Sequence, residues 1–149
     1  MNSTGFLRAS IVGAVLTTFL LLGAVTATAN SGRDFSGYFD LSDVKPQGDL
    51  VQVTLHLQLF NHGDDDAKSV IVTLLDTTPS MTLRGSFAPV KVWKHQQRIN
   101  LSQEFFISQR EYAEWMAAPG QPNLVILFQD GNGKTWQRGA QISHRPLVK

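Results

Sequence analysis

The sequence predicts an all-β protein: an antiparallel two-sheet sandwich of about seven short strands, with one short helix near residues 109–117. Three observations carry this. From Val51 to Leu59 every odd position is apolar and every even position is polar. Further β-branched or alternating runs recur along the chain, separated by Gly, Pro, Asn and Asp. Only one segment after residue 30 combines helical spacing with a helix start signal.

Residues 30–35 look like a leader, and 36–44 (SGYFDLSDV) like a short strand stopped by Pro46-Gln47-Gly48. In the run 51–59, Val51, Val53, Leu55, Leu57 and Leu59 share one face, and Gln52, Thr54, His56 and Gln58 the other. Successive strand side chains point to opposite faces, so one face is buried and the other wet. The turn-formers 61–66 (NHGDDD) follow, then the β-branched strand 69–75. Short strands are expected at 81–86 and 90–93, and another at 98–107, where Ile99, Leu101, Phe105 and Ile107 share a face broken by Gln103. Ser108-Gln109-Arg110-Glu111 fits a capping box. The two or three turns that follow must dock through Tyr112 and Trp115, because so short a helix is marginal alone. The apolar run 123–128 reads as a central strand, Asp130-Gly131-Asn132-Gly133 as a hairpin turn, and 135–143 as the last strand before a tail from His144. This arrangement is of immunoglobulin-like type.

The first 29 residues read as a secretory signal peptide: Arg8 is the one charge, 11–25 are largely apolar, and Ala27-Thr28-Ala29 is a small-x-small cleavage pattern. If that segment stayed on, it would be a membrane anchor. The remaining segment, 30–149, suits a single domain. The chain has no Cys, which excludes disulfides, a lipid-modified cysteine, thiolate zinc and blue copper. An exported, cysteine-free domain points to a bacterial envelope, periplasmic or extracellular. Beyond Arg8 the acids and bases balance, so nothing recommends a nucleic-acid partner. The charges are unevenly spread: residues 30–83 carry eight acids and three bases, and residues 84–149 four acids and nine bases.

The stretch LVQVTLHLQLFNHGDDDAKSVIVTLLDT, residues 50–77, joins an alternating strand to Asn-x-Gly, an acidic turn, Ala and a Val-rich strand. It resembles the B–C hairpin of bacterial extracellular immunoglobulin-like domains of the CARDB type, and 98–107 is similar to a later strand of such domains. The resemblance covers roughly half of the segment 30–149. It implies a non-enzymatic adhesion, assembly or spacer module. The helix at 109–117 departs from the simplest form of that pattern.

Candidate sites are few. Asp64, Asp65 and Asp66 are carboxylates of the kind that hold Ca²⁺, and His62 beside them makes a His–carboxylate metal set conceivable. A solvated turn is the alternative. Asp130 and Asn132 open like a calcium loop, but Lys134 and Gln141 occupy positions where ligands belong. Trp93, Trp115 and Trp136 are candidate partner-contact aromatics, or else core. No Ser is marked as an activated nucleophile, so no catalytic residue is assigned. The sequence therefore leads to an exported, non-catalytic envelope protein that binds a protein partner and needs no cofactor. The alternative is a small periplasmic metal or ligand binder using His62 and Asp64–Asp66.

Leu55→Asp tests the strand facing. Burying an unpaired charge at the middle of the apolar face should cost about 4 kcal/mol or more. An unchanged midpoint in chemical denaturation would refute the assignment.

Overall fold

The alternation at 51–59 becomes the centre of the molecule. The computed structural model describes residues 34–146; the expected signal peptide lies outside them. The strands are β1 (Phe35–Gln47), β2 (Leu50–Asn61), β3 (Ala67–Leu75), β4 (Leu83–Ser86), β5 (Val90–Trp93), β6 (Arg98–Ser108), β7 (Asn123–Gln129), β8 (Thr135–Gly139) and β9 (Gln141–His144). The helix α1 (Gln109–Met116) lies between β6 and β7. One sheet has the order β6-β2-β1-β9; the other has β4-β3-β7-β8, with β5 also paired to β3. β1, β2 and β6 correspond to strands A, B and E of an immunoglobulin-type sandwich, and β3, β7 and β8 to C, F and G.

β2 pairs with β1 on one side and with β6 on the other. Its odd residues are buried and its even residues from Gln52 to Phe60 are half-buried. Val53, Leu55 and Leu59 meet Val70, Leu74 and Ile126 of the other sheet in one core, which also takes in Phe35, Phe39, Trp93, Phe105, Ile107 and Trp115. The β1–β2 turn has two residues, and Gly48 takes φ 62, a conformation free of steric cost only without a Cβ. Gly37 is needed for a different reason: a Cβ there would lie 2.0 Å from the Gln58 carbonyl oxygen across the ladder.

Several expectations are corrected. Phe35, expected in a leader, begins β1 and stacks on Trp93 at 4.8 Å between ring centres. The described residues form nine strands, and the expected last strand is two of them: it leaves the β7 sheet at buried Ala140 and joins the other sheet as β9. β9 then runs parallel to β1, from Ser36↔Gln141 to Phe39↔His144, so the sandwich is not wholly antiparallel. His144, expected to open a tail, closes β9.

The helix forms as its capping box predicts. Ser108 Oγ accepts from Glu111 N at 3.1 Å, and Glu111 Oε2 accepts from Ser108 N at 2.9 Å. Glu111 is 1% exposed, and the same oxygen accepts from Arg84 Nη2 of β4 at 2.9 Å. One carboxylate thus starts the helix and ties it to the opposite sheet. Trp115 is fully buried and Tyr112 packs against the core, as expected.

Glu111→Ala removes half of the capping box, the bond from Ser108 N, and strands Arg84 beside the core. The expected loss is about 3 kcal/mol or more. Denaturant titration showing a loss below about 1 kcal/mol would mean that the pair does not anchor the helix.

Candidate functional site

The turn between β2 and β3 is organised by Asn61. Its side-chain amide donates to the Asp65 carbonyl at 3.2 Å and to the Trp93 carbonyl at 3.3 Å, and its Oδ1 accepts from Gly63 N at 2.9 Å. The backbone of Asn61 also bonds with Gln96 and Gln97, in the turn between β5 and β6. Two turns distant in sequence are therefore held together at one end of the sandwich.

That arrangement selects the partner of Asp66. Because β5 pairs with β3 through Ala67↔Trp93, the residues after Trp93 emerge beside the acidic turn. Asp66 Oδ1 accepts from His95 N at 2.9 Å and meets His95 Nδ1 at 2.8 Å. Sequence proximity alone pairs His62 with the carboxylates. His62 instead meets Ser36 Oγ across the strands and packs against Phe60, with ring centres 4.5 Å apart. Asp64 and Asp65 stay exposed. Among the described residues no three His, Cys, Asp or Glu side chains converge as a metal would require.

The three tryptophans separate into two kinds. Trp93 and Trp115 are core, which corrects their candidacy as contact residues: both are among the largest fully buried side chains. Trp93 also donates from Nε1 to the Gln97 carbonyl at 2.9 Å. Trp136 is half-buried. Its Nε1 donates to Asp130 Oδ2 at 2.7 Å, and its ring lies near Lys134 Nζ at 4.0 Å and the Arg138 guanidinium at 4.6 Å. Arg138 reaches Asp34 at 3.4 Å. A small hollow of about 270 Å³ separates these groups from the acidic turn.

The four-stranded sheet has two unlike edges. β9 is covered: Gln121 Oε1 accepts from Ile142 N at 2.9 Å, and the His144 ring bonds the Trp115 carbonyl. Both partners come from α1 and the connection to β7. β6 is bare. Its 11 residues pair with β2 from Leu50↔Ser108 to Phe60↔Arg98 without a bulge, and no strand follows it in the sheet order. Its inward side chains are unevenly covered: Phe105 and Ile107 are buried, Ile99 and Leu101 half-buried, and Gln103 exposed. The cause is that β4 and β5 both pair with β3, so no strand hydrogen-bonds to the outer edge of β6, although β4 packs against its Phe105 end at Gly85. On the outer face, His56 bridges Ser42 Oγ and Ser102 Oγ at 2.7 Å each, and Gln58 donates to Asn100 Oδ1 at 3.4 Å. A wide groove of about 720 Å³ on the same sheet is lined by Tyr38, Gln58, Phe60, His62, Arg98 and Gln141. The sequence shows β6 as a strand; its place at the sheet edge emerges only from the topology.

No family model and no curated protein matches the chain. Solved structures that it resembles include a GH20 exo-β-N-acetylglucosaminidase from Vibrio harveyi. The inactive mutant aligns with TM-score 0.45 at 12% identity, and the N-acetylglucosamine complex with TM-score 0.42 at 13% identity. Each alignment covers 78% of this chain and 19% of that chain, so this chain spans about a fifth of the glycosidase. A Northeast Structural Genomics Consortium target aligns at TM-score 0.40 and 6% identity, covering 76% of this chain and 88% of that one. Likenesses at this level carry no functional argument.

Three carboxyls are held below the ordinary value of 3.8. The His95 backbone N–H, then its ring, lowers Asp66; the Thr78 hydroxyl, with the Thr82 and Thr78 backbone N–H groups, lowers Asp76; the Trp136 indole, then the Lys134 and Asn132 backbone N–H groups, lowers Asp130. Folded values below the unfolded value mean that each contribution to stability is complete above 3.8 and is lost as pH falls through the lower folded values. Denaturation midpoints should be flat from neutrality to about pH 5 and fall below pH 4. Tryptophan emission should change over the same acid range, and that change should vanish in Asp130→Asn. Emission that titrates identically in the variant would sever Trp136 from Asp130.

Proposed function

We propose that this chain is an exported, non-catalytic module of the cell envelope that binds protein by accepting a partner strand along β6. The observation that carries the reading is the contrast between the two edges of one sheet. An unpaired strand edge is a template for another chain, and folded proteins normally cover, bend or charge it. Here β9 is tied to the α1–β7 region through the Gln121 side chain and the Trp115 carbonyl, while β6 is long, regular and unbulged. Strand addition uses such an edge: main-chain hydrogen bonds supply affinity, and alternate side chains supply selectivity. The half-buried Ile99 and Leu101 would lose their remaining exposure under an added strand. The resemblance of residues 50–77 and 98–107 to CARDB-type extracellular domains fits an assembly or adhesion role. Arg8, the apolar run and Ala27-Thr28-Ala29 support export to the periplasm or beyond.

The absence of Cys makes the test clean. Single Asn100→Cys, Ser102→Cys and Glu104→Cys variants would carry a short thiol-attached photo-crosslinker in the host cell, with Lys91→Cys on β5 as control. The expected result is that the three β6 positions react with one partner segment, at sites spaced two residues apart and in reverse order or in the same order. Cross-links scattered over unrelated segments, or as frequent from Lys91→Cys, would overturn the reading.

A further inference from the structure

We infer that the strand β6 accepts is β6 of a second copy of this chain, running antiparallel about a two-fold axis at Leu101. This rests on the reading that β6 is a docking edge, and it identifies the occupant. The relevant residues are Arg98-Ile99-Asn100-Leu101-Ser102-Gln103-Glu104. When this segment pairs with itself about Leu101, each residue faces the one equally distant on the other side. Arg98 then faces Glu104 of the second copy, and Glu104 faces Arg98, so two opposite-charge pairs form by symmetry. Asn100 faces Ser102, an amide opposite a hydroxyl. Leu101 faces its own counterpart, and Ile99 faces the aliphatic stem of Gln103. Directly opposed residues on antiparallel strands have Cβ atoms about 5 Å apart, within reach for every one of these pairs.

The register is selective. A shift by one residue puts the apolar inner face of one copy on the side of the other copy's wet face, because side chains alternate. A shift by two keeps the faces but loses both charge pairs: Arg98 then meets Ser102 or Phe106, and Glu104 meets Gln96 or Asn100. Only the register centred on Leu101 satisfies faces and charges together. Arg98 and Glu104 are both exposed, and neither forms an ion pair among the described residues of one copy.

The geometry also closes this sheet after two copies. Pairing β6 with β6 gives the strand order β9-β1-β2-β6-β6-β2-β1-β9. Both outer edges are then β9, each already tied to Gln121 and the Trp115 carbonyl. An isologous contact of this kind uses up the β6 edge, so the shared sheet does not grow through it.

The test is sedimentation equilibrium on the chain purified from cells expressing the full sequence, from micromolar to millimolar concentration. Wild type should be a dimer that weakens as salt rises, since the charge pairs are solvent-exposed. Glu104→Arg alone, or Arg98→Glu alone, should weaken dimerisation by about tenfold or more, because each turns two attractions into two repulsions. The double variant Arg98→Glu/Glu104→Arg should return to within about threefold of wild type, since the pairs are restored with reversed sign. All three variants change exposed side chains and should melt like wild type. A monomer at every concentration, a dimer indifferent to the single changes, or a single-change loss without rescue would each overturn self-pairing. A monomeric chain whose β6 still cross-links in register to a different protein would remove the second copy but leave strand docking standing. Loss of β6 cross-linking altogether would remove both.

Discussion

Five apolar side chains on β2 have to leave water together, and a strand can oblige them only by turning one whole face inward. Much of the molecule follows from that demand. β2 lies between β1 and β6, so its register sets theirs through two ladders, unbroken with β6 and interrupted with β1 only between Ser42 and Lys45. Its inward face needs a second sheet to cover it, and β3 and β7 supply Val70, Val72, Leu74, Leu124 and Ile126. Its outward face, freed from the core, carries the amide and imidazole groups that line up with Ser42, Asn100 and Ser102. Where β2 ends, Asn61 turns the chain and satisfies buried carbonyls that water no longer reaches.

The second sheet covers the first unevenly. β4 and β5 divide one side of β3 between them, which leaves the inner face of β6 partly open around Ile99, Leu101 and Gln103. At the opposite edge the four residues of β9 are tied down by Gln121, from the connection after α1, and by the Trp115 carbonyl that holds the His144 ring. The same helix is fastened to β4 by Glu111, whose carboxylate serves the helix cap and Arg84 at once. Edge protection on one side and a shared buried charge beneath it are thus parts of one structure. The bare side has no comparable device.

How far the sequence could be read depended on the range of the interactions involved. β2 was legible because period-two alternation is local and unambiguous. The capping box was legible for the same reason, since Ser108 and Glu111 are three residues apart. Phe35 was misread because the core that claims it, through Trp93 and Phe128, is assembled from far along the chain. The break at Ala140 left no mark, because a strand that changes sheets keeps extended backbone and alternation on both sides. Asp66 was given the wrong histidine: His62 is near in sequence, but His95 is brought in by the β3–β5 ladder. Aromatic identity alone could not separate buried Trp93 and Trp115 from Trp136, which depends on what packs around each ring. The composition of β6 was visible from the start, while its position at an edge is a property of the topology.

The parallel pairing of β1 with β9 joins the first described strand to the last. A ribosome delivers the chain from one end, so β1 and β2 can form a hairpin early, while the other side of β1 has no partner until residues 141–144 arrive. The sheet closes last where it began first. Contacts of such long sequence separation slow folding and keep an unpaired strand waiting. Nearly all of the described residues must therefore be present before the final strand can lock the rest in place.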